Sequence, residues 1–171
     1  MSLEPTPAEL RAMLDRQQIS ELIYTYCRAV DRIDPELGYT VWHDGAQADY
    51  GRIYQGDARG LIDHICAAHR RAIAHSHQIT NILIQLDGER ARSEAYIISA
   101  MRFMHEGALK QVTTRGRYLD QWSRRAGRWG ADKRFFVNDF DELRPVTPAF
   151  VPPRFALDRS DPSYALFDGV L

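Results

Sequence analysis

Two histidines on alternate positions, His75 and His77, stand at the head of the apolar run Gln78-Ile-Thr-Asn81-Ile-Leu-Ile-Gln-Leu86. An imidazole titrates near pH 6.5 in water, so it can take a proton and return it close to neutrality. If the run is a strand, side chains two apart share a face, which puts His77, Ile79, Asn81 and Leu83 on one side. An imidazole entering the concave side of a sheet is placed for proton transfer. The plain alternative is a pair of surface histidines at a loop end. A histidine that acts as a base also needs a partner to fix its tautomer.

Other chemistries have less support. Six histidines invite a metal reading, but His75-x-His77 lacks further ligands at a recognisable spacing, so no metal and no cofactor is expected. Cys27 and Cys66 lie inside apolar helical patterns without a CxxC, and read as buried thiols of a reducing compartment. No GxGxxG, GxxxxGK[ST] or GxSxG occurs, which leaves nucleotide binding and the common serine hydrolases without a motif.

The elements that must position His77 can be read in order. Thr6-Pro7-Ala8-Glu9 is a helix start, with a Thr cap, Pro at the first helical position and Glu three after the cap. Leu10, Met13, Leu14, Ile19, Leu22, Ile23, Tyr26 and Val30 then describe one apolar face, ending near Asp34-Pro35. Tyr26 and Asp31 lie about 140° apart on such a helix, and converge only if the last turn loosens. Asp31 at a helix C-terminus opposes the dipole, so it calls for a cationic or hydrogen-bonding partner. A short strand follows around Val41–Gly51, and Asp57 can cap a second helix from about Ala58 to Ala74, with Ile73 on its apolar side and His64 and His69 as solvated or rim residues.

From His77 the period switches to two. Strands are expected at His77–Leu86, Arg90–Met104, Val112–Arg124 and Trp129–Asp139, with a tight turn at Asp87-Gly88, a looser connection at Glu106-Gly107 and a join at Ala126-Gly127. Helices first and then an antiparallel meander imply an α+β class, with helices packed in a curved sheet and a ligand pocket at the open end of the resulting cone. One domain is expected over residues 1–143. Residues 144–171 form an extension in which Pro145, Pro148, Pro152 and Pro153 alternate with Phe150, Phe155, Tyr164 and Phe167. That many aromatics predicts packing over the pocket mouth or on a neighbouring subunit.

The 171 residues are 44% hydrophobic and 26% charged, an ordinary globular balance. A net charge of -1, from 22 basic and 23 acidic residues, argues against nucleic acid or an acidic membrane as partner. No run approaches the ~18 apolar residues of a membrane span, and no leader pattern is visible, so a cytoplasmic, soluble protein is expected.

Three motifs carry a family resemblance: Ile19-Ser-Glu-Leu-Ile-Tyr-Thr-Tyr26 with Ala29-Val-Asp31, His77-Gln-Ile-Thr-Asn81, and Gly116-Arg-Tyr-Leu-Asp120 followed by Gly127-Arg-Trp129 and Lys133-Arg134. Over roughly residues 10 to 140 the chain resembles the SnoaL-like branch of the NTF2-like superfamily, a cone-shaped α+β barrel. It is similar there to hexachlorocyclohexane dehydrochlorinase, scytalone dehydratase and the bile-acid 7α-dehydratase, lyases that need no cofactor. The resemblance implies that Asp31 and His77 form an acid–base dyad, with His77 removing a proton and Asp31 orienting it. It also implies that Tyr26 is the tyrosine of the dehydratase branch, and that Arg134 is the late-strand arginine of the dehydrochlorinase and bile-acid enzymes. Two departures bear on the leaving group: Ile98-Ser-Ala-Met101 has no carboxylate where the bile-acid enzyme has one, and His105 lies close to a turn rather than where scytalone dehydratase carries its second histidine.

In such a site a carboxylate accepting from Nδ1–H leaves Nε2 free as the base, Tyr26 can donate to a developing oxyanion, and Arg134 can supply fixed positive charge. Tyr50, Trp42, Phe103 and Phe136 can wall a pocket for a small hydrophobic cyclic or aromatic ligand, and Asn81 can orient it. Each has a bland alternative: Asp31 as a surface helix end, Tyr26 and the aromatics as core, Arg134 as a structural ion pair, Asn81 facing water. The expected reaction is β-elimination of water or halide. An isomerase or cyclase using the same dyad, and a non-catalytic ligand-binding or accessory protein, are the alternatives. An open sheet face predicts a homo-oligomer, dimer or trimer.

Overall fold

The structure, a computed structural model, describes residues 4–147 and 151–167. Helix α1 (Pro7–Asp31) begins as its sequence dictates: Thr6 Oγ1 accepts from the Glu9 N–H, and Glu9 returns the bond to the Thr6 N–H at 2.8 Å. Its inward stripe is Ile19, Ile23, Tyr26, Cys27, Ala29 and Val30. The first two turns do not belong to that stripe. Leu10, Met13 and Leu14 are 46%, 63% and 59% exposed, because the buried residue in this stretch is the acid Asp15. Asp15 accepts from Arg124 Nη1 at 2.7 Å and from the Trp129 indole at 3.0 Å, which ties the helix to the sheet by polar contacts instead of apolar ones.

A short helix α2 (Pro35–Tyr39), capped by Asp34, turns the chain into β1 (Trp42–Asp49) and β2 (Gln55–Asp57). Helix α3 (Ala58–His69) starts on its expected cap, Asp57, but ends five residues earlier than its apolar pattern implies. The chain is drawn off the helix at that point, where the Ile73 N–H bonds to the Arg102 carbonyl at the head of the sheet, and Ile73 is left half-exposed. Strands β3 (Ala74–Asp87), β4 (Arg90–His105), β5 (Ala108–Arg125) and β6 (Arg128–Pro145) then form the antiparallel meander. The sheet order is β2-β1-β6-β5-β4-β3, and β1 lies parallel to β6, a pairing that no local pattern announces.

All three hairpins of the meander close in two residues. Glu106 and Gly107 both have positive φ (51° and 74°), as do Ala126 and Gly127 (49° and 81°), the backbone twist that tight hairpins favour. The connection at Glu106-Gly107 is therefore tight, where the sequence suggested a looser one.

The curved, unclosed sheet wraps α1 and α3. The core lies between them, built from Ile19, Ile23 and Val30 of α1, Leu61, Ile62 and Cys66 of α3, and Trp42, Ala95, Ile97, Tyr118, Trp122, Trp129 and Ala131 of the sheet. The two cysteines are free and buried, and burial pushes their thiols up to about 12 for Cys27 and about 11 for Cys66.

The extension beyond β6 includes a short helix α4 (Pro162–Leu166) and docks on the end of α1 in its own chain. Tyr164 Oη donates to Asp34 at 2.9 Å, Arg28 donates to Ser163, and the Arg28 guanidinium lies over the Tyr164 ring at 4.9 Å. Arg32 and Asp161 form an ion pair at 3.5 Å. Pro148 and Phe150 lie outside the described residues.

Candidate active site

The last residue of α1 and the fourth residue of β3 meet. Asp31 Oδ1 lies 2.6 Å from His77 Nδ1, and Asp31 Oδ2 accepts the His77 backbone N–H at 2.9 Å. The two side chains are 11% and 13% exposed, for His77 and Asp31 respectively, so the pair is mostly dry but reachable. A carboxylate gripping both the ring and the main chain of one residue fixes the ring's rotation and its tautomer together. With Nδ1 carrying the proton toward Asp31, Nε2 is left bare. The C-terminal position of Asp31, unfavourable against the helix dipole, is thereby offset by two donors.

Two further imidazoles stand beside this pair. The His69 ring is 4.1 Å from that of His75 and 5.5 Å from that of His77. His64 is exposed as expected, but His69 is buried, a correction to its reading as a rim residue. It closes the last turn of α3 against α1 and bonds to the Val30 carbonyl at 3.1 Å. Burial, reinforced by the neighbouring His75, drops the His69 pKa to about 4, and burial lowers that of His75 as well. Among the described residues no group of three or more His, Cys, Asp or Glu is arranged to hold a metal ion.

A second cluster lies deeper in the cone. Arg134 and Asp120 form a two-pronged ion pair at 2.7 and 2.8 Å, with both side chains wholly out of solvent. Tyr118 and Tyr26 cover the guanidinium at 4.0 and 4.3 Å, and Trp42 lies 5.3 Å away. Burial alone would lower the Arg134 pKa, but Asp120 and the tyrosines more than offset that and hold it firmly charged. Tyr26 and Tyr50 share a hydrogen bond at 2.9 Å, and Tyr50 stacks on Phe136 at 5.1 Å. Burial raises the pKa of both tyrosines, so their hydroxyls stay protonated donors. Arg134 Nη1, which carries two N–H groups, is buried and left out of the pair with Asp120, while the guanidinium also acts on the Tyr50 hydroxyl.

Of the side chains singled out in the sequence, the structure groups Asp31 with His77, and groups Tyr26, Arg134, Tyr50, Trp42 and Phe136 around Asp120. The two groups share α1, and the Cys27 thiol feels Arg134 as well as Asp31. Phe103 and Asn81 join neither. Phe103 lies far along β4, with its ring edge-on to His105 at 6.2 Å. Asn81 has φ of 46° and sits where the β3–β4 register shifts between Thr80 and Ile82. This bulge adds one residue and reverses the alternation, so Asn81 and Leu83 are exposed while Ile82 and Ile84 pack toward the core. Asp120 was visible inside its motif but unassigned, since only the β5–β6 register, Asp120 opposite Arg134, reveals the pairing.

An open cavity of about 350 Å³ borders the dyad's end of β3, lined by Arg32, His75, Ser76, Arg102, Gln111 and Phe155. A larger cavity of about 740 Å³, with Arg90, Arg92, Trp122 and Arg124 in its wall, lies at the opposite end of that strand. Neither Asp31 nor His77 lines the smaller cavity, which meets their surroundings through His75.

Comparison with solved structures finds the same fold in proteins of low identity. Hexachlorocyclohexane dehydrochlorinase LinA-type3 from Novosphingobium barchaimii is 19% identical, with a TM-score of 0.68 over 84% of this chain and 99% of that one. A provisional scytalone dehydratase from Novosphingobium aromaticivorans is 16% identical, with a TM-score of 0.65 over 83% and 97%. An NTF2-like protein with a cystatin-like fold, from the same species, is 20% identical, with a TM-score of 0.62 over 81% and 92%. No curated protein matches the sequence. The model of the SnoaL-like domain matches residues 11–134, a span that takes in most of α1, Asp31 with His77, and the Asp120–Arg134 pair, and the chain therefore belongs to the SnoaL-like family within the NTF2-like fold.

Proposed function

We propose that this protein is a cofactor-independent lyase that removes a carbon-bound proton from a small hydrophobic cyclic substrate and expels water or halide from the neighbouring carbon. The observation that carries this reading is the two-point grip of Asp31 on His77, at 2.6 and 2.9 Å. His77 Nε2 takes the proton, and Asp31 stabilises the imidazolium that forms. Of the bonded Tyr26–Tyr50 pair, one hydroxyl donates to the other and the second O–H stays free to donate, and Arg134, whose Nη1 lies outside its pair with Asp120, supplies positive charge where negative charge develops or departs. Phe136 and Phe155 offer apolar walls on the two sides, with the cavity beside His75 as the way in. Two fold relatives carry dehydrochlorinase and dehydratase names, which agrees with elimination. The docked extension would then border the entrance. The exposed sheet face is read as the surface for self-association into a dimer or trimer.

The test is turnover by the purified chain on a panel of hydroxy-ketones, steroids and chlorinated rings, followed by release of water or halide. The wild type should convert at least one class, and His77→Ala should lose that conversion. Equal turnover in both would remove His77 as the base. A product of unchanged composition would mark an isomerase instead.

A further inference from the structure

The carbonyl of Val30 receives two imidazoles. His69 Nδ1 from the end of α3 and His75 Nε2 from the head of β3 both lie 3.1 Å from it. The last four carbonyls of a helix have no partner within it, and here each is accounted for. The Arg28 carbonyl accepts from the Arg32 N–H, that of Ala29 from the Asp34 N–H, and that of Asp31 from Arg32 Nη1. Only Val30 is satisfied from other elements, by both lone pairs of its oxygen at once. The next residue along the helix is Asp31.

A carbonyl can only accept, so both histidines must donate. That assigns the proton of His69 to Nδ1 and that of His75 to Nε2, leaving His69 Nε2 and His75 Nδ1 bare. His75 Nδ1 is buried with no partner, so a second proton there would be an unsatisfied buried charge. The charged and titratable groups facing the pair are Asp31 from α1, Arg32 just beyond it, and His77 from β3. Besides the Val30 carbonyl itself, only Asp31 favours protonation, and it is already committed to His77.

We propose that His69 and His75 are positioning residues that clamp the last turn of α1 through Val30 and so set the Asp31 carboxylate against His77. The proposal rests on reading His77 as the base, but its geometry does not. Strand β3 is stitched to α1 at two successive helical residues, His75 to Val30 and His77 to Asp31, and α3 adds the third tie.

Histidine ring nitrogen NMR on the full chain between pH 5 and 8 tests the clamp without any substrate. The expected result is an Nδ1–H tautomer for His69 and an Nε2–H tautomer for His75 at pH 8, each ring keeping that nitrogen protonated as the pH falls. The opposite tautomer at either residue overturns it. His75→Leu removes a donor and keeps bulk, whereas His75→Gln keeps a donor. In the Leu variant the downfield His77 Nδ1–H resonance should move or broaden, and kcat should fall about 10- to 100-fold with KM nearly unchanged, as for other partners that orient a working group. The Gln variant should recover most of both. Equal behaviour of the two folded variants refutes the clamp, and a failure of all turnover with the tautomers as stated refutes only the lyase reading.

Discussion

Asp120 meets Arg134 edge-on, with both carboxylate oxygens engaged and neither side chain reaching solvent. Removing one member of such a pair leaves the other as a buried charge without compensation, which costs about 3–5 kcal/mol. Arg134→Met and Asp120→Asn should each destabilise the fold by about that much in urea melts. Replacing both by apolar residues should recover much of the loss. A single variant that unfolds at the wild-type midpoint would show that the pair does not hold β5 to β6.

At the dyad the useful substitution is Asp31→Asn, which preserves shape but turns one of two acceptors into a donor. That donor faces either the His77 N–H or its Nδ1–H, so the ring must flip its tautomer or leave its place. Turnover should drop by about 10²–10⁴-fold, in line with the size of general-base contributions, while the melting temperature changes little. Steady-state kinetics with circular dichroism on the same preparation separates the two effects.

Stability should fall as the medium is acidified from pH 7 to pH 4. The folded-state pKa of His69 is lowered to about 4, so below about pH 6.5 the unfolded chain binds a proton that the native state refuses. The contribution is fully present above pH 6.5, is lost as pH falls toward 4, and changes no further below that. Its slope is at most about 1.4 kcal/mol per pH unit, and His75 adds to it in the same direction. Denaturant titrations at pH 7, 6 and 5 on wild type and His69→Gln check this; the variant's dependence should be shallower.

Tyr164→Phe removes the hydroxyl that donates to Asp34 and should loosen the extension from the end of α1. The expected cost is about 1 kcal/mol, because the contact is only partly buried. Hydrogen exchange should rise within residues 156–167 and leave β4 and β5 unchanged. Protection lost throughout the sheet would contradict the extension's role as a separately docked segment.

Much of this arrangement was legible in the sequence. The Thr6–Glu9 box, the period change at β3 and the placement of Asp31 at a helix end follow from local rules that each residue obeys independently of the rest. What escaped depends on contacts between distant positions. Asp15 sits in an otherwise apolar repeat and is buried because Arg124 and Trp129 reach it from strands more than a hundred residues away. His69 looked like a polar residue on a helix rim, and only the approach of Val30 makes it interior. The bulge at Asn81 carries no Gly and no Pro, so nothing in the alternation of β3 warned that its phase would reverse.

That reversal has a consequence for what the strand can bury. The one-residue hitch lets His77 and Ile79 look inward together with Ile82, Ile84 and Leu86. An unbroken strand would instead turn Asn81 and Gln85 toward the core and Ile82 and Ile84 toward water, so the irregularity is what makes this polar-studded stretch compatible with a dry interior.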